Sequence, residues 1–192
     1  SGVDAALSLK GAISGTVTDS QTGEPIADIC VEASNELGGG WGYDRTEADG
    51  TYKIEGLPAG DFWIEFRDCR WPYQYRGEFF DDALQRADAD PVAVSLGATT
   101  AGVDAALLVL GSISGVVTDD VSGNPLENIC VTVTGENTYR QTQTPAEGTY
   151  EIRGLEDCQY RLEFEDCVGG EHLSEFFDDK SDWLAADLVT TE

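Results

Sequence analysis

The chain repeats itself at an offset of 100 residues, and this duplication constrains its fold more than any other feature. Residues 11–19 (GAISGTVTD) recur as residues 111–119 (GSISGVVTD), and further matches follow in the same order along both copies. The period is that of a whole small domain, whereas solenoid repeats span roughly 20 to 50 residues. We therefore predict two modules of one kind, residues 1–107 and 108–192.

A shorter repeat leaves the module boundary open. Residues 2–7 (GVDAAL) are identical to residues 102–107, and each copy lies just upstream of a module's first predicted strand. The segment either opens each module or closes each one, and in the second case the second module lacks its final strand. Residues 1–9 would then belong to a neighbouring module or chain, or would pair within their own first module.

The closing alternative predicts a route to assembly. The assembly strand Gly2, Val3, Ala5 and Leu7 of one chain could complete the second module of another by adding a strand to its open edge. Such a head-to-tail contact does not close on itself, so it would grow a filament.

Apolar and polar residues alternate with a period of two through most of the chain. Ile13 and Val17 alternate with serine and threonine, and Phe62, Ile64 and Phe66 alternate with charged residues and tryptophan. Alternation of this kind predicts half-buried strands, and glycine- and proline-containing turns separate the runs at regular spacing. We predict an all-β chain with one antiparallel β-sandwich per module, of the transthyretin-like or Ig-like type.

Charge excludes several classes of partner. The chain of 192 residues carries 37 Asp and Glu against 11 Lys and Arg, a formal net charge of −26. It lacks the basic surface that neutralises phosphates, so we expect no nucleic-acid partner. The apolar runs fall far short of the roughly 18 to 20 residues that a membrane helix needs, so we expect no membrane insertion.

Four of the five cysteines are equivalent in the two copies. Cys30 matches Cys130 and Cys69 matches Cys167, and the alternation places all four on outward-facing strand positions. We predict disulfides between Cys30 and Cys69 and between Cys130 and Cys167, each worth up to about 4 kcal/mol in the chain-entropy treatment. Disulfides imply an oxidising, extracellular or cell-surface location. Cys158 has no counterpart, and its role stays open between a free thiol and an intermolecular link.

Together these motifs resemble a known family. The runs GxISGxVTD, TGEPIADICVEA, ADGTYKIEGLPAG, EFFDD and ATTAGVDAAL are similar to the carboxypeptidase regulatory-like domain, which occurs in tandem on secreted bacterial proteins. The resemblance implies a transthyretin-like, or prealbumin-like, seven-stranded sandwich similar in architecture to the Cna-B modules of Gram-positive surface proteins. It also implies an accessory or structural module and not the peptidase.

The residues that could carry chemistry are few. A single histidine, His172, cannot build a zinc site, and no nucleophile motif accompanies it, so we expect no enzyme activity and no required cofactor. Calcium takes oxygen ligands, so the equivalent pairs Asp81 with Asp82 and Asp178 with Asp179 form a weak candidate site. The alternative is a solvated acidic surface.

One aromatic loop suggests a ligand. Trp71, Tyr73 and Tyr75 lie in a loop that the second module lacks, and aromatic faces stack on sugar rings. The alternative is that these rings cover the edge of the core.

The predicted function is therefore a non-catalytic, extracellular structural or adhesive tandem segment, a stalk or spacer of a bacterial surface or secreted protein. Two alternatives remain: a subunit of a filament assembled by strand donation, and a carbohydrate-binding accessory module. The expected partners are other modules of the same parent chain or identical subunits, with a glycan as a further candidate.

Overall fold

The computed structural model describes residues 7–35, 39–156 and 158–191. The chain divides into two compact units, residues 1–109 and 110–192, and both are β-sandwiches. Across the described ranges the only helical element is a single 3-10 turn at Arg86–Asp88. No helix within those ranges has the length and apolar character needed to cross a bilayer.

The first module contains two facing sheets. One sheet has the order β4-β1-β8, with β9 also paired to β1, and the other has the order β3-β2-β5-β6, with β7 also paired to β5. β6 and β7 both pair with β5, and β8 and β9 both pair with β1. When each of these two pairs is counted as one edge strand, the nine strands correspond to a seven-stranded sandwich. The strands are β1 (Gly11–Asp19), β2 (Ile29–Ser34), β3 (Trp41–Arg45), β4 (Thr51–Leu57), β5 (Gly60–Asp68), β6 (Glu78–Phe79), β7 (Val92–Val94), β8 (Thr99–Ala101) and β9 (Ala105–Leu107).

The second module repeats this plan with a smaller first sheet. One sheet contains β10 and β13, and the other has the order β12-β11-β14-β15, with β16 also paired to β14. The strands are β10 (Gly111–Val116), β11 (Ile129–Thr134), β12 (Tyr139–Gln143), β13 (Thr149–Leu155), β14 (Gln159–Asp166), β15 (Glu175–Phe176) and β16 (Val189–Thr190).

The predicted alternation of buried and exposed residues is confirmed. Ile13 and Val17 of β1 are fully buried, as are the side chains of Phe62, Ile64 and Phe66 of β5. Successive side chains of a strand point to opposite faces, so every second residue meets the core that lies between the two sheets. This pattern builds one core in each module.

The sequence predicts antiparallel pairing, and most strand pairs are antiparallel, but two pairs in the first module are parallel. β1 is antiparallel to β4, but it is parallel to both β8 and β9. Parallel neighbours need a long crossover connection, and the remaining strands of the module, β2 to β7, supply it. One edge of an otherwise antiparallel sandwich is therefore closed by a parallel strand.

Candidate functional site

The closing strand of the first module, formed by β8 and β9 (residues 99–107), covers the outer edge of β1. β8 pairs with residues 12–14 and β9 with residues 17–19. Val103, Ala105 and Leu107 are buried in the core of the first module. The GVDAAL segment at residues 102–107 therefore closes the first module and does not open the second.

Three contacts hold the closing strand where it crosses β1. A Cβ atom on Gly15 would clash with the carbonyl oxygen of Val103, so the close approach requires glycine. The Tyr52 hydroxyl donates a hydrogen bond to that carbonyl at 2.6 Å. The Asp104 carboxylate accepts one from the backbone N–H of Thr16 at 2.7 Å. These contacts add to the backbone pairing of the segment with β1, which includes a hydrogen bond from the Val103 N–H to the Ser14 carbonyl oxygen at 3.2 Å.

The equivalent edge of the second module is open in the described part of the chain. There β10 pairs with β13 alone. Val116 is 58% exposed, and Val117 is half-buried where its counterpart Val17 is fully buried. Ser112 is exposed where Ala12 is only 7% exposed. An edge that presents free backbone groups beside partly exposed apolar residues is a template for a further strand.

A tyrosine occupies part of the vacant space on the second module. A Cβ atom on Gly115 would lie 2.7 Å from the Tyr150 hydroxyl oxygen. In the first module the Val103 carbonyl takes the matching place over Gly15. Burial against Phe164, whose ring centroid is 5.8 Å away, raises the pKa of Tyr150, so its hydroxyl stays protonated and remains a donor.

The predicted assembly strand is only partly described. Gly2, Val3 and Ala5 lie outside the described residues. Leu7 is described, and its side chain is 95% exposed, whereas its counterpart Leu107 is fully buried. The same residue of the same hexapeptide is thus in the core at one copy and in solvent at the other.

The predicted calcium residues form tight turns. Asp81 and Asp82 have left-handed backbone φ angles of 64° and 60°, and Asp178 and Asp179 have 63° and 56°. Aspartate tolerates this region better than most residues do, so turn geometry accounts for the repeated pair. Lys180 places its ammonium 3.2 Å from the Asp178 carboxylate. The described residues contain no group of three or more acidic, histidine or cysteine side chains placed to hold a metal, and the calcium site stays a prediction.

A buried glutamate next to these turns was missed by the sequence reasoning. Glu78 is only 7% exposed, and burial together with the nearby Asp82 carboxylate raises its pKa to about 7. Its counterpart Glu175 is more exposed, and its pKa is raised by burial and by Asp179. Glutamate precedes the same Phe-Phe-Asp-Asp run in both modules, but this repeat does not by itself indicate burial.

The predicted aromatic site divides into two parts. Trp71 and Tyr73 pack edge to face, with ring centroids 5.1 Å apart, and are 72% and 43% exposed. Tyr75 points elsewhere, because its hydroxyl donates to the Asp19 carboxylate at 3.1 Å. The structure therefore brings Trp71 and Tyr73 together without Tyr75, and sugar binding by this pair stays a prediction.

Each module carries one disulfide across the outer face of its larger sheet. The structure joins Cys30 to Cys69, with Cα atoms 5.5 Å apart, and Cys130 to Cys167, with Cα atoms 5.7 Å apart. Both separations lie in the usual range for a disulfide. Cys158 is free and half-buried, and it packs against the core of the second module.

A histidine replaces Tyr75 in the second module. The two imidazole nitrogens of His172 lie 3.3 Å from the Asp166 carboxylate and 3.6 Å from the Asp119 carboxylate. Asp166 also accepts backbone hydrogen bonds from the loop that follows it, and these hold its pKa far below the usual range. The sequence analysis considered His172 only as a metal ligand or catalytic residue and missed this bridge.

The fold and the edge define a class: a tandem pair of transthyretin-like β-sandwich domains in which the first is closed by a parallel strand. The chain belongs to the carboxypeptidase regulatory-like domain family, which it matches at residues 12–77 and 112–170.

Similarity to individual proteins is more distant. The chain is 29% identical over 118 residues to the TonB-dependent transporter Oar of Myxococcus xanthus. This match covers 52% of the chain but only 11% of the length of the transporter. Among solved structures, a streptococcal ancillary pilin is 14% identical with a TM-score of 0.44, covering 95% of this chain and 62% of that one. An E269A mutant of the shaft pilin SpaA from Lactobacillus rhamnosus GG is 10% identical with a TM-score of 0.47, covering 92% and 95%.

Proposed function

We propose that the chain is a non-catalytic structural segment, a stalk or spacer of a bacterial surface or secreted protein, in which sandwich modules follow one another along the chain. The observation that carries this proposal is the parallel pairing of β1 with β8 and β9. The first and last strands of the module are neighbours that run in the same direction. A force applied to the ends of the module therefore loads their hydrogen bonds in shear, all at once, and does not unzip them singly.

The covalent bracing supports the same role and an extracellular location. Each disulfide ties β2 or β11 to the segment that follows the central strand of the same sheet. Disulfides persist in oxidising compartments and are rare in the cytosol. The partners in this role are the neighbouring modules of the parent chain.

Single-molecule force spectroscopy tests the mechanical proposal. We expect the first module to unfold at a higher force than the second, because the described part of the second module has no parallel closing strand. Leu107→Ala loosens the closing strand and should lower the force of the first module toward that of the second. Two modules that unfold at equal, low force in the unaltered chain would contradict a mechanical role.

A second candidate function is end-to-end assembly into a filament. The open edge of β10 and the exposed Leu7, within a hexapeptide identical to residues 102–107, favour it. Light scattering of the full chain beside a chain without residues 1–9 tests it. Oligomers that disappear when residues 1–9 are deleted support assembly. A monomeric mass for both chains at the highest soluble concentration contradicts it.

A further inference from the structure

We propose that the outer face of the larger sheet of the first module binds arginine side chains of a partner protein through an aromatic pair, Trp41 and Tyr43. Both residues lie on β3, an edge strand of that sheet, two positions apart and therefore on one face. Their rings are nearly parallel, with an angle of 5° between the planes and centroids 6.3 Å apart. Trp41 is 65% exposed and Tyr43 is 44% exposed.

A second tryptophan in the same row of the sheet is already covered by an arginine. Trp41 and Trp63 both lie opposite Ser34, one on each side, so their side chains share the outer face. The guanidinium carbon of Arg86 lies 4.8 Å from the centre of the Trp63 ring. In the described part of the chain no guanidinium takes this place over Trp41 or Tyr43. The row therefore holds one tryptophan that is covered by a cation and one that is not.

The second module makes the same contact with its partners exchanged. Arg161 occupies the position of Trp63 in the central strand, and Trp183 occupies the position of Arg86 in the segment before the last strand. The guanidinium carbon of Arg161 lies 5.2 Å from the centre of the Trp183 ring. The quadrupole of an aromatic ring attracts a cation over its face. Because each module keeps this contact although both residues have changed, a guanidinium on an aromatic ring is a favourable cover for this face.

Charge also favours a cationic occupant. The chain carries 37 acidic residues against 11 basic ones, and its field attracts positively charged partners. Glu32 lies directly opposite Tyr43 in the pairing of β2 with β3, so its side chain is a neighbour of the aromatic pair. One carboxylate oxygen of Glu32 lies 3.2 Å from a guanidinium nitrogen of Arg67, and no described residue donates to the other oxygen. An arriving guanidinium can therefore stack on the rings and donate to this carboxylate.

Arginine fits this surface better than lysine does. A guanidinium is planar and weakly hydrated, so it stacks on a ring while it donates hydrogen bonds in its own plane, whereas an ammonium is compact and strongly hydrated. Arg45 follows on the same face of β3, but its guanidinium is paired with the Asp28 carboxylate at 3.3 Å. The Tyr43 hydroxyl lies 3.0 Å from the Sγ atom of Cys30, and this contact holds the ring in position.

The test uses the full chain and two fluorescent peptides of equal charge, one with arginine alternating with glycine and one with lysine alternating with glycine. We expect the arginine peptide to bind saturably in fluorescence anisotropy, and more tightly than the lysine peptide. Binding should weaken as salt is added, because salt screens the attraction between exposed charges. Equal binding of the two peptides would overturn the proposal, since net charge alone would then account for it.

Variants of the two rings locate the binding. Trp41→Ala should weaken binding of the arginine peptide about two- to tenfold, the worth of the contact of a cation with one ring. Tyr43→Ala should do the same, whereas Tyr43→Phe keeps the ring and should retain binding. Circular dichroism of each variant reports whether the fold is intact.

The second module offers the matched control. Tyr139 occupies the position of Trp41 and is 64% exposed, but Gln141 replaces Tyr43, so the parallel pair is missing there. Tyr139→Ala should leave binding of the arginine peptide unchanged. A loss as large as that caused by Trp41→Ala would show that the peptide binds to exposed aromatic residues in general, and would overturn the proposed site.

A neutral oligosaccharide separates this inference from sugar binding. If cellopentaose binds in a way that Trp41→Ala abolishes, and the same variant leaves the arginine peptide unaffected, the rings serve a glycan and the proposal is wrong. A loss of peptide binding in Trp41→Ala but not in Tyr139→Ala supports it. Neither result bears on the mechanical role, because β1, β8 and β9 belong to the other sheet.

Discussion

The two modules share their strands, turns and disulfide positions, yet one edge differs. In the first module β1 lies between β4 and the closing strand, and its apolar side chains are fully buried. In the second, β10 has β13 on one side and, within the described residues, no strand on the other. The residues that pack against the core there, such as Val117 and Phe164, are only partly buried. Within the described residues, the two modules thus differ by the strand that covers this edge.

The comparison shows that a residue's role in this fold depends on whether the edge is covered. Tyr52 is buried and donates to the closing strand, whereas its counterpart Tyr150 lies over a glycine at the open edge. Leu107 is in the core, whereas Leu7 is in solvent. The same local sequence therefore has two environments.

The largest effect should come from truncating the closing strand. Leu107→Ala should destabilise the first module by about 2–5 kcal/mol, because it leaves a cavity in a closed core. Leu7→Ala is the matched control, and in the dilute monomer it should change stability by less than about 0.5 kcal/mol. Hydrogen exchange resolved by module measures both. Equal effects of the two substitutions would show that Leu7 also packs within its own chain.

Removal of the disulfides should have the next largest effect. Replacing Cys130 and Cys167 by serine should cost about 2–4 kcal/mol, and the same loss is expected for Cys30 and Cys69. We expect the second module to unfold first on reduction, because its described core has fewer buried residues than that of the first module. Cys158→Ser is the control, since this thiol forms no disulfide. Chemical unfolding with and without reductant shows the order in which the modules unfold. If the first module unfolds before the second, this prediction is wrong.

Glu78 should make the first module sensitive to pH. Its pKa is raised to about 7, so the folded state binds more protons than the unfolded state between about pH 4.5 and pH 7. Stability is therefore lost as pH rises through this window. Glu78→Gln should raise stability above pH 7 by about 2 kcal/mol, less than the full linkage value because water screens the carboxylate in part.

The second module offers the control for this effect. Glu175 occupies the equivalent position but is more exposed, so Glu175→Gln should produce a smaller gain. Thermal unfolding from about pH 5 to pH 8 measures both variants. A gain that is equal in the two modules, or absent in the first, would show that the Glu78 carboxylate is well hydrated.

The smallest effect should come from the bridge between two carboxylates. His172→Ala removes the contacts to Asp119 and Asp166. Both contacts are partly exposed, and contacts of this kind contribute little to stability, so the second module should unfold at a slightly lower urea concentration. Unfolding of the second module in urea, beside the unaltered chain, measures this difference. A loss of stability as large as that from removing a disulfide would show that the bridge holds the loop after β14 in place.

Several features of the fold could be predicted from the sequence. The alternation of Phe62, Ile64 and Phe66 identified a buried strand face, because side-chain direction along a strand is set locally. Glu78 could not be placed in this way. It lies on a two-residue strand, where no alternation can be recognised, and only the packing around it makes the carboxylate buried.

The sequence by itself determined the duplication, the strand faces and the class of fold, because these depend on repeats and on a period of two along the chain. It did not determine which module owns the GVDAAL segment. That was decided by the pairing of β9 with β1, which lie more than 80 residues apart in the chain. Pairing over that distance depends on which edge the folded core leaves uncovered, and no local pattern records this. Only the tertiary structure therefore shows that Leu107 closes a core, and that among the described residues β10 pairs with β13 alone.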